Sequence, residues 1–327
     1  MKDIDVVALG ELLIDFTNNG ISEQGNTLFE ANPGGAPCNV LAMLSKLGHK
    51  TAFIGKVGDD LFGHKLKATL EEVNIDASNL RLDQEARTTL AFVQTLPGGD
   101  RDFSFYRNQG ADIMLSENEI DKSLLQRSKI FHFGTLSMTH ERVRQATKKA
   151  IEIAKGAGAI LTFDPNLRPA LWTSLEEAHK QMAYGLEQCD VLKISDNEIQ
   201  WFTGFHDYEK GIQYLKEKYN IPLILLSIGK EGSRAYWKDC CVEVPAFIQK
   251  NTIETTGAGD TFLGSCLHFI LDYGLDTLTR EIIEEMLKFS NMAAAIITTR
   301  KGALRVMPSY EEVEEKLNIL GLGRINI

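Results

Sequence analysis

The chain is 327 residues long, 43% hydrophobic and 24% charged, a composition that provides for a large core and excludes wholesale disorder. A formal charge of -10 argues against broad nucleic-acid or anionic-membrane binding, since both need a basic surface. Five cysteines without paired C-x-x-C spacing read as reduced thiols rather than a zinc site, and the charged, strand-length N-terminus is not a signal peptide, so a cytoplasmic protein is expected.

In chain order, short apolar, often β-branched runs at 5–9, 52–57, 130–133, 160–163, 191–194 and 223–228 alternate with helical-period segments at 40–47, 61–73, 141–154, 175–187 and 208–219. That alternation predicts one α/β domain over 1–327, with a mostly parallel central sheet covered by helices on both faces, and ligands beyond the carboxyl ends of its strands. Two stretches break the rhythm. Residues 16–33 carry Asn, Gly, Ser and Gln without helical period, and 88–107 reads as a hairpin, Thr88 to Leu96 and Asp102 to Arg107, joined at Pro97-Gly98-Gly99-Asp100. Both are assigned to a small β-sheet inserted in the main domain. The acidic run at 309–317 reads as a capped terminal helix with a solvated face.

The most informative segment is Glu254-Thr-Thr-Gly257-Ala258-Gly259-Asp260-Thr-Phe262. It follows the end of a strand near Val244 and precedes apolar residues at helical spacing, which places Gly257 and Gly259 at a helix start. Free N–H groups and the helix dipole there can hold a phosphate. Asp260 in that first turn has two readings, a helix-capping acid or the acceptor of a proton from an attacking hydroxyl.

Taken with six further stretches in order, this segment resembles the signature of the ribokinase-like (PfkB) carbohydrate kinases. The stretches are Gly10-Glu11-Leu-Leu-Ile-Asp15, Gly34-Gly35-Ala36-Pro37-Cys38-Asn39, GKVGDDLFG (55–63), FDPNLRPALW (163–172), KISDNE (193–198) and LSIGKEGS (226–233). Together they extend the resemblance over essentially the whole chain. The GGAP-C-N run, Phe105-Tyr-Arg107 with Gly-Ala-Asp112, and D-P-N-x-R are most similar to fructokinases.

The resemblance implies a three-layer αβα sandwich whose small sheet, from 16–33 and 88–107, is a lid and a contact for a homodimer. It implies transfer of a phosphoryl group from ATP to a small sugar, D-fructose at O6, with 2-keto-3-deoxygluconate, ribose or a nucleoside as other acceptors and a silent sugar-binding regulator as the non-enzymatic alternative. Asp260 would be the base, Gly257, Ala258 and Gly259 the anion hole, and Arg168 a phosphate contact; the alternative for Arg168 is an ion pair with Asp164. Asp15, Gly34, Gly35, Asn39, Phe105 and Arg107 would form the sugar site. Asn39 as an N-cap and the two glycines as a tight turn are the structural alternatives. Ser195, Ser227, Gly229, Gly232 and Asn291 would lie on the ATP side. Glu198 would hold Mg2+ through water, although Ser195 to Glu198 is also a capping-box pattern. Glu254, Thr256, Ile297 and Gly302 would surround a K+ ion, with Glu254 standing where the family usually has Asp. No Walker A or protein-kinase motif is present, and no histidine is assigned to a metal.

Overall fold

In the computed structural model, residues 2–95 and 101–323 are described. Its elements are β1 Ile4–Leu9, β2 Leu13–Ile21, β3 Thr27–Gly34, α1 Ala36–Lys46, β4 Thr51–Gly58, α2 Leu61–Glu72, β5 Ile75–Asp83, β6 Leu90–Thr95, β7 Arg101–Tyr106, α3 Lys122–Gln126, β8 Ser128–Gly134, α4 Glu141–Gly156, β9 Ile160–Asp164 and α5 Leu175–Gln188. They continue with β10 Val191–Ser195, α6 Asp196–Thr203, α7 Tyr208–Lys218, β11 Leu223–Ser227, β12 Ser233–Trp237, β13 Cys240–Val244, α8 Ala258–Tyr273, α9 Arg280–Ile297 and α10 Tyr310–Ile319.

The β-branched runs pair as the alternation predicts. They form a nine-stranded sheet in the order β13-β12-β11-β10-β9-β8-β1-β4-β5, parallel from β11 through β5, with β12 and β13 added antiparallel at one edge. Strands covered on both faces need side chains that are apolar on both faces, and all eight residues of β4 are buried. One face packs against α1, α2, α8, α9 and α10 through residues such as Val40, Leu66, Leu263, Phe289 and Leu317. The other packs against α4 to α7 through Ile151, Met182, Ile199 and Leu215. The result is an αβα sandwich.

The stretches that broke the rhythm make a second, four-stranded sheet, β3-β2-β6-β7. It is mixed: two antiparallel pairs meet where β2 runs parallel to β6, with Ile14 opposite Leu90. Phe16 stacks on Phe92 at 4.9 Å and meets Phe62 of α2 edge-on at 5.7 Å, which ties this sheet to the main body. The expected turn at 97–100 lies outside the described residues.

Helix starts differ in how they are capped. Asp60, Ser174, Ser195, Asp207, Thr279 and Ser309 cap α2, α5, α6, α7, α9 and α10 with their side chains. By contrast, α1 and α8 begin at Gly35 (φ 136°) and Gly257 (φ 74°), which supply no side-chain cap. These two helix starts open on one cavity.

Candidate active site

The cavity has a volume of about 350 Å3 and lies where the small sheet faces the carboxyl ends of the main strands. Its walls include Asp15, Gly35, Asn39 and Phe105 together with Arg168, Thr256, Gly257, Gly259 and Asp260. Segments far apart in sequence therefore meet as the strand-end rule requires.

Asp260 sits in the first turn of α8, and its Oδ2 accepts a 2.7 Å hydrogen bond from Asn39 Nδ2. Burial, reinforced by the charge of Asp164, pushes its carboxyl up to about 6, against the opposing effects of Asn39, Lys193 and Arg168. The hydrogen bond also fixes the Asn39 amide, so its Oδ1 points as an acceptor; among the described residues that buried oxygen has no partner. A ligand hydroxyl can supply one. Gly257 takes a left-handed backbone, and a Cβ there would come within 2.8 Å of Ala303 Cβ. Ala258 follows as the first residue of α8.

Near Asp15, Gly34 pairs with Leu13 across β2 and β3. A Cβ on Gly34 would lie 2.3 Å from Asp15 Oδ2, so that glycine makes room for the carboxylate. Phe105 lies on β7 opposite Ala91. Arg107 is held from behind. It is absent from the cavity wall, because Asp112 takes its Nε at 2.8 Å, Thr139 its Nη1 at 3.0 Å and the Leu136 carbonyl its Nη2 at 2.9 Å. A guanidinium 6% exposed must satisfy its donors within the protein, and this one does so without a ligand.

Arg168 lines the cavity and donates from Nη1 to the Leu167 carbonyl. Asp164 pairs instead with Lys193, Nζ to Oδ2 2.9 Å, both side chains under a tenth exposed. Lys193 also lines the cavity, 3.1 Å from where a Gly259 Cβ would stand. Burial alone would lower its ammonium, but Asp164, Glu198 and Asp260 hold it above its ordinary value, so it is a permanent cation facing the α8 start. Sequence reading missed this lysine, which sits mid-strand in an apolar run; a charged residue in a doubly covered strand was the available signal. Glu11 was missed as well. It caps α1 from a distance, accepting from Ala36 N at 3.0 Å, and burial pushes its carboxyl up to about 7 despite Arg107.

Ser195 and Ser227 stand side by side at the ends of β10 and β11. Glu198 forms the capping box: its Oε2 accepts from Ser195 N and Oγ at 2.9 and 2.8 Å, while Oε1 accepts from Leu167 N at 2.9 Å. Gly229 and Gly232 bound the turn after β11 with φ of 49° and 116°, and a Cβ at Gly232 would strike the Val244 carbonyl at 2.2 Å. Asn291 acts as a strut. Its Oδ1 accepts from Ser233 and its Nδ2 donates to the Val244 and Pro245 carbonyls, which ties α9 to the β12–β13 hairpin. Glu254 Oε1 accepts from Gly302 N at 2.7 Å, joining the loop before α8 to the turn after Ile297.

A buried carboxylate at an uncapped helix start, with two cations on the same cavity, is the arrangement expected for moving a phosphoryl group to a hydroxyl. The family model for pfkB family carbohydrate kinases matches residues 3–309. The chain belongs to that family. This carbohydrate kinase is 41% identical over 316 residues to a probable fructokinase-2 of Arabidopsis thaliana, covering 96% of each chain. Among solved structures it resembles a fructokinase from Xylella fastidiosa with bound ATP, with a TM-score of 0.89, 29% identity, and 98% and 100% of the two chains covered. It also resembles a double-mutant fructokinase from Vibrio cholerae O395 holding fructose, ADP and a potassium ion, with a TM-score of 0.85, 28% identity, and coverage of 96% and 98%. The kinase is thus a phosphotransferase acting on a sugar hydroxyl.

Proposed function

We propose that the chain is an ATP-dependent fructokinase that phosphorylates D-fructose at O6, with Asp260 as the general base. The observation that carries this reading is the position of Asp260: it lies between a sugar-sized cavity end and the glycine start of α8, with its carboxyl pushed up to about 6. A base with a midpoint near 6 is ionised at neutral pH yet basic enough to take a hydroxyl proton as the oxygen attacks. Asp15 accepts hydroxyl hydrogens of the sugar, and the unpartnered Asn39 Oδ1 accepts another. The Gly257 to Gly259 backbone, Arg168 and Lys193 neutralise charge on the transferring group.

ATP extends from that point over the strand ends carrying Ser195 and Ser227 toward the Gly229–Gly232 turn. Glu198 suits Mg2+ through water: three of its roughly four acceptor positions are occupied, which leaves one on Oε1 for a metal-bound water. When bound, the ion neutralises phosphate charge. The loop tied by Glu254 and Gly302, with Thr256 and Ile297, would hold K+. Residues 1–327 act as one domain. Segments 16–33 and 88–107 are its lid, and exposed Ile21, Leu28, Phe29 and Tyr106 on that sheet support a homodimer through it. Five free cysteines support a reducing, cytoplasmic setting.

Fructose is favoured over 2-keto-3-deoxygluconate because Arg107, the cation that a substrate carboxylate would need, is engaged by Asp112 and lies off the cavity wall. The test is coupled ADP release with Mg-ATP against fructose, ribose, adenosine, glucose and 2-keto-3-deoxygluconate, with and without K+. Turnover on fructose well above the others is expected. Preference for another acceptor would overturn the substrate.

A further inference from the structure

The far end of α8 carries a cluster that the proposed reaction does not use. His268 and Asp272 lie one turn apart on that helix, Nε2 to Oδ2 3.6 Å. His49, in the turn between α1 and β4, brings its Nε2 to 2.7 Å from His268 Nδ1. One ligand atom from each of the three residues falls within 4.8 Å of the other two.

We infer that His49, His268 and Asp272 form a binding site for a divalent transition-metal ion of the zinc type, which staples the end of α8 to the turn after α1. Two imidazoles and a carboxylate are a donor set that zinc accepts readily and Mg2+ does not. The two imidazoles are largely enclosed at 12% and 11% exposure, whereas Asp272 is 51% exposed, so an ion would enter past the carboxylate and keep an open position on the solvent side. On the other side of His49, Asp5 Oδ2 stands 3.8 Å from Nδ1, an electrostatic contact beyond hydrogen-bond reach. Asp5 is itself held by Lys50 N at 2.8 Å and Lys129 Nζ at 2.7 Å.

In a tetrahedral site with metal–nitrogen bonds of about 2.0–2.1 Å, two ring nitrogens stand roughly 3.3 Å apart. The present 2.7 Å contact must therefore open by about half an ångström for the metal to replace the shared proton at His268 Nδ1, and the exposed Asp272 carboxylate, which now faces the opposite nitrogen Nε2 at 3.6 Å, must swing to that side. The stapled helices matter because α1 carries Asn39 and α8 carries Asp260.

The test is calorimetric titration of the full chain with Zn2+, together with thermal melting and the visible spectrum of the Co2+ form, for the wild type, His49→Gln and Asp272→Asn. One equivalent of Zn2+ per chain is expected, with a raised Tm, a tetrahedral Co2+ spectrum, no competition from millimolar Mg2+, and affinity at least tenfold weaker in each variant. Both variants alter side chains outside the catalytic cavity, and their melting without metal reports whether they fold. Absence of stoichiometric zinc would overturn the inference. So would zinc that binds equally well to both variants, since the ion would then sit elsewhere, for example at the adjacent Cys240 and Cys241.

Discussion

Replacing Asp260 with Asn should change activity and stability in opposite directions. In the folded chain the carboxyl has its midpoint at about 6 instead of its ordinary 3.8, because burial and the Asp164 charge outweigh Asn39, Lys193 and Arg168. A group whose folded midpoint is raised binds its proton more tightly folded than unfolded. Its ionisation therefore destabilises the fold progressively as pH rises from about 4 through about 6, and the full cost, about 3 kcal/mol at about 1.4 kcal/mol per pH unit, is present at neutral pH. An amide in the same place carries no charge to desolvate, so Asp260→Asn should gain about 1–3 kcal/mol at pH 7 and melt a few degrees higher. That gain should vanish below about pH 4, where wild-type Asp260 is protonated in both states. The same variant has no base and should lose at least about a hundredfold in kcat. Denaturant melts at pH 4, 5, 6 and 7, paired with coupled ADP release at saturating sugar, would check both halves. Turnover within tenfold of wild type would remove Asp260 from its role as base, and a variant less stable than wild type at pH 7 would refute the idea that the fold bears an electrostatic cost there.

Three further outcomes follow from the same geometry. The acid limb of kcat/KM should fall by about tenfold between pH 7 and pH 5 with a midpoint near 6; Asn39→Ala, which removes a 2.7 Å hydrogen bond to the ionised form, should move that midpoint upward by up to about one pH unit. Lys193→Met leaves Asp164 buried without its cation and should cost about 3–5 kcal/mol in denaturant melts, while Lys193→Met with Asp164→Asn should recover much of the stability and little of the activity. Gly34→Ala places a methyl 2.3 Å from Asp15 Oδ2 and should raise the KM for sugar at least tenfold with a smaller change in the KM for ATP, as read by initial rates against each substrate.

Much of the layering could be read from the chain because most of the parallel strands are apolar, largely buried runs separated by amphipathic helices, so period distinguishes them. The strands that escaped have weaker signatures. In β5, Ile75 to Asp83, buried and exposed residues alternate at a sheet edge with Asp, Ser, Asn and Arg among them, and β12, with the β13 strand of which only the end near Val244 is read from the sequence, turns through Lys238 in a left-handed backbone that lacks the usual glycine. At the site, residues were legible where a backbone requirement fixed the residue type, as at Gly257 or Gly34. Roles that depend on partners distant in sequence were not. Nothing near Arg107 reveals that Thr139 and the Leu136 carbonyl complete its hydrogen bonds, and nothing near Asn291 reveals the Val244 and Pro245 carbonyls.

The charges around Asp260 explain why one fold position can be both costly and useful. Lys193 faces three carboxylates, of Asp164, Glu198 and Asp260, and its 2.9 Å contact is with Asp164. Glu198 is satisfied separately by Leu167 and Ser195. Asp260 therefore receives only the longer-range part of the lysine field, along with one amide hydrogen bond, and its charge remains undercompensated. Full pairing with Lys193 would drop its midpoint into the ordinary carboxylate range and weaken it as a base. Without Lys193 the carboxyl would rise further. The Asp164–Lys193 pair thus acts as a regulator of basicity, and a ligand anion at the α8 start would push the Asp260 midpoint upward again at the moment when a proton must be taken.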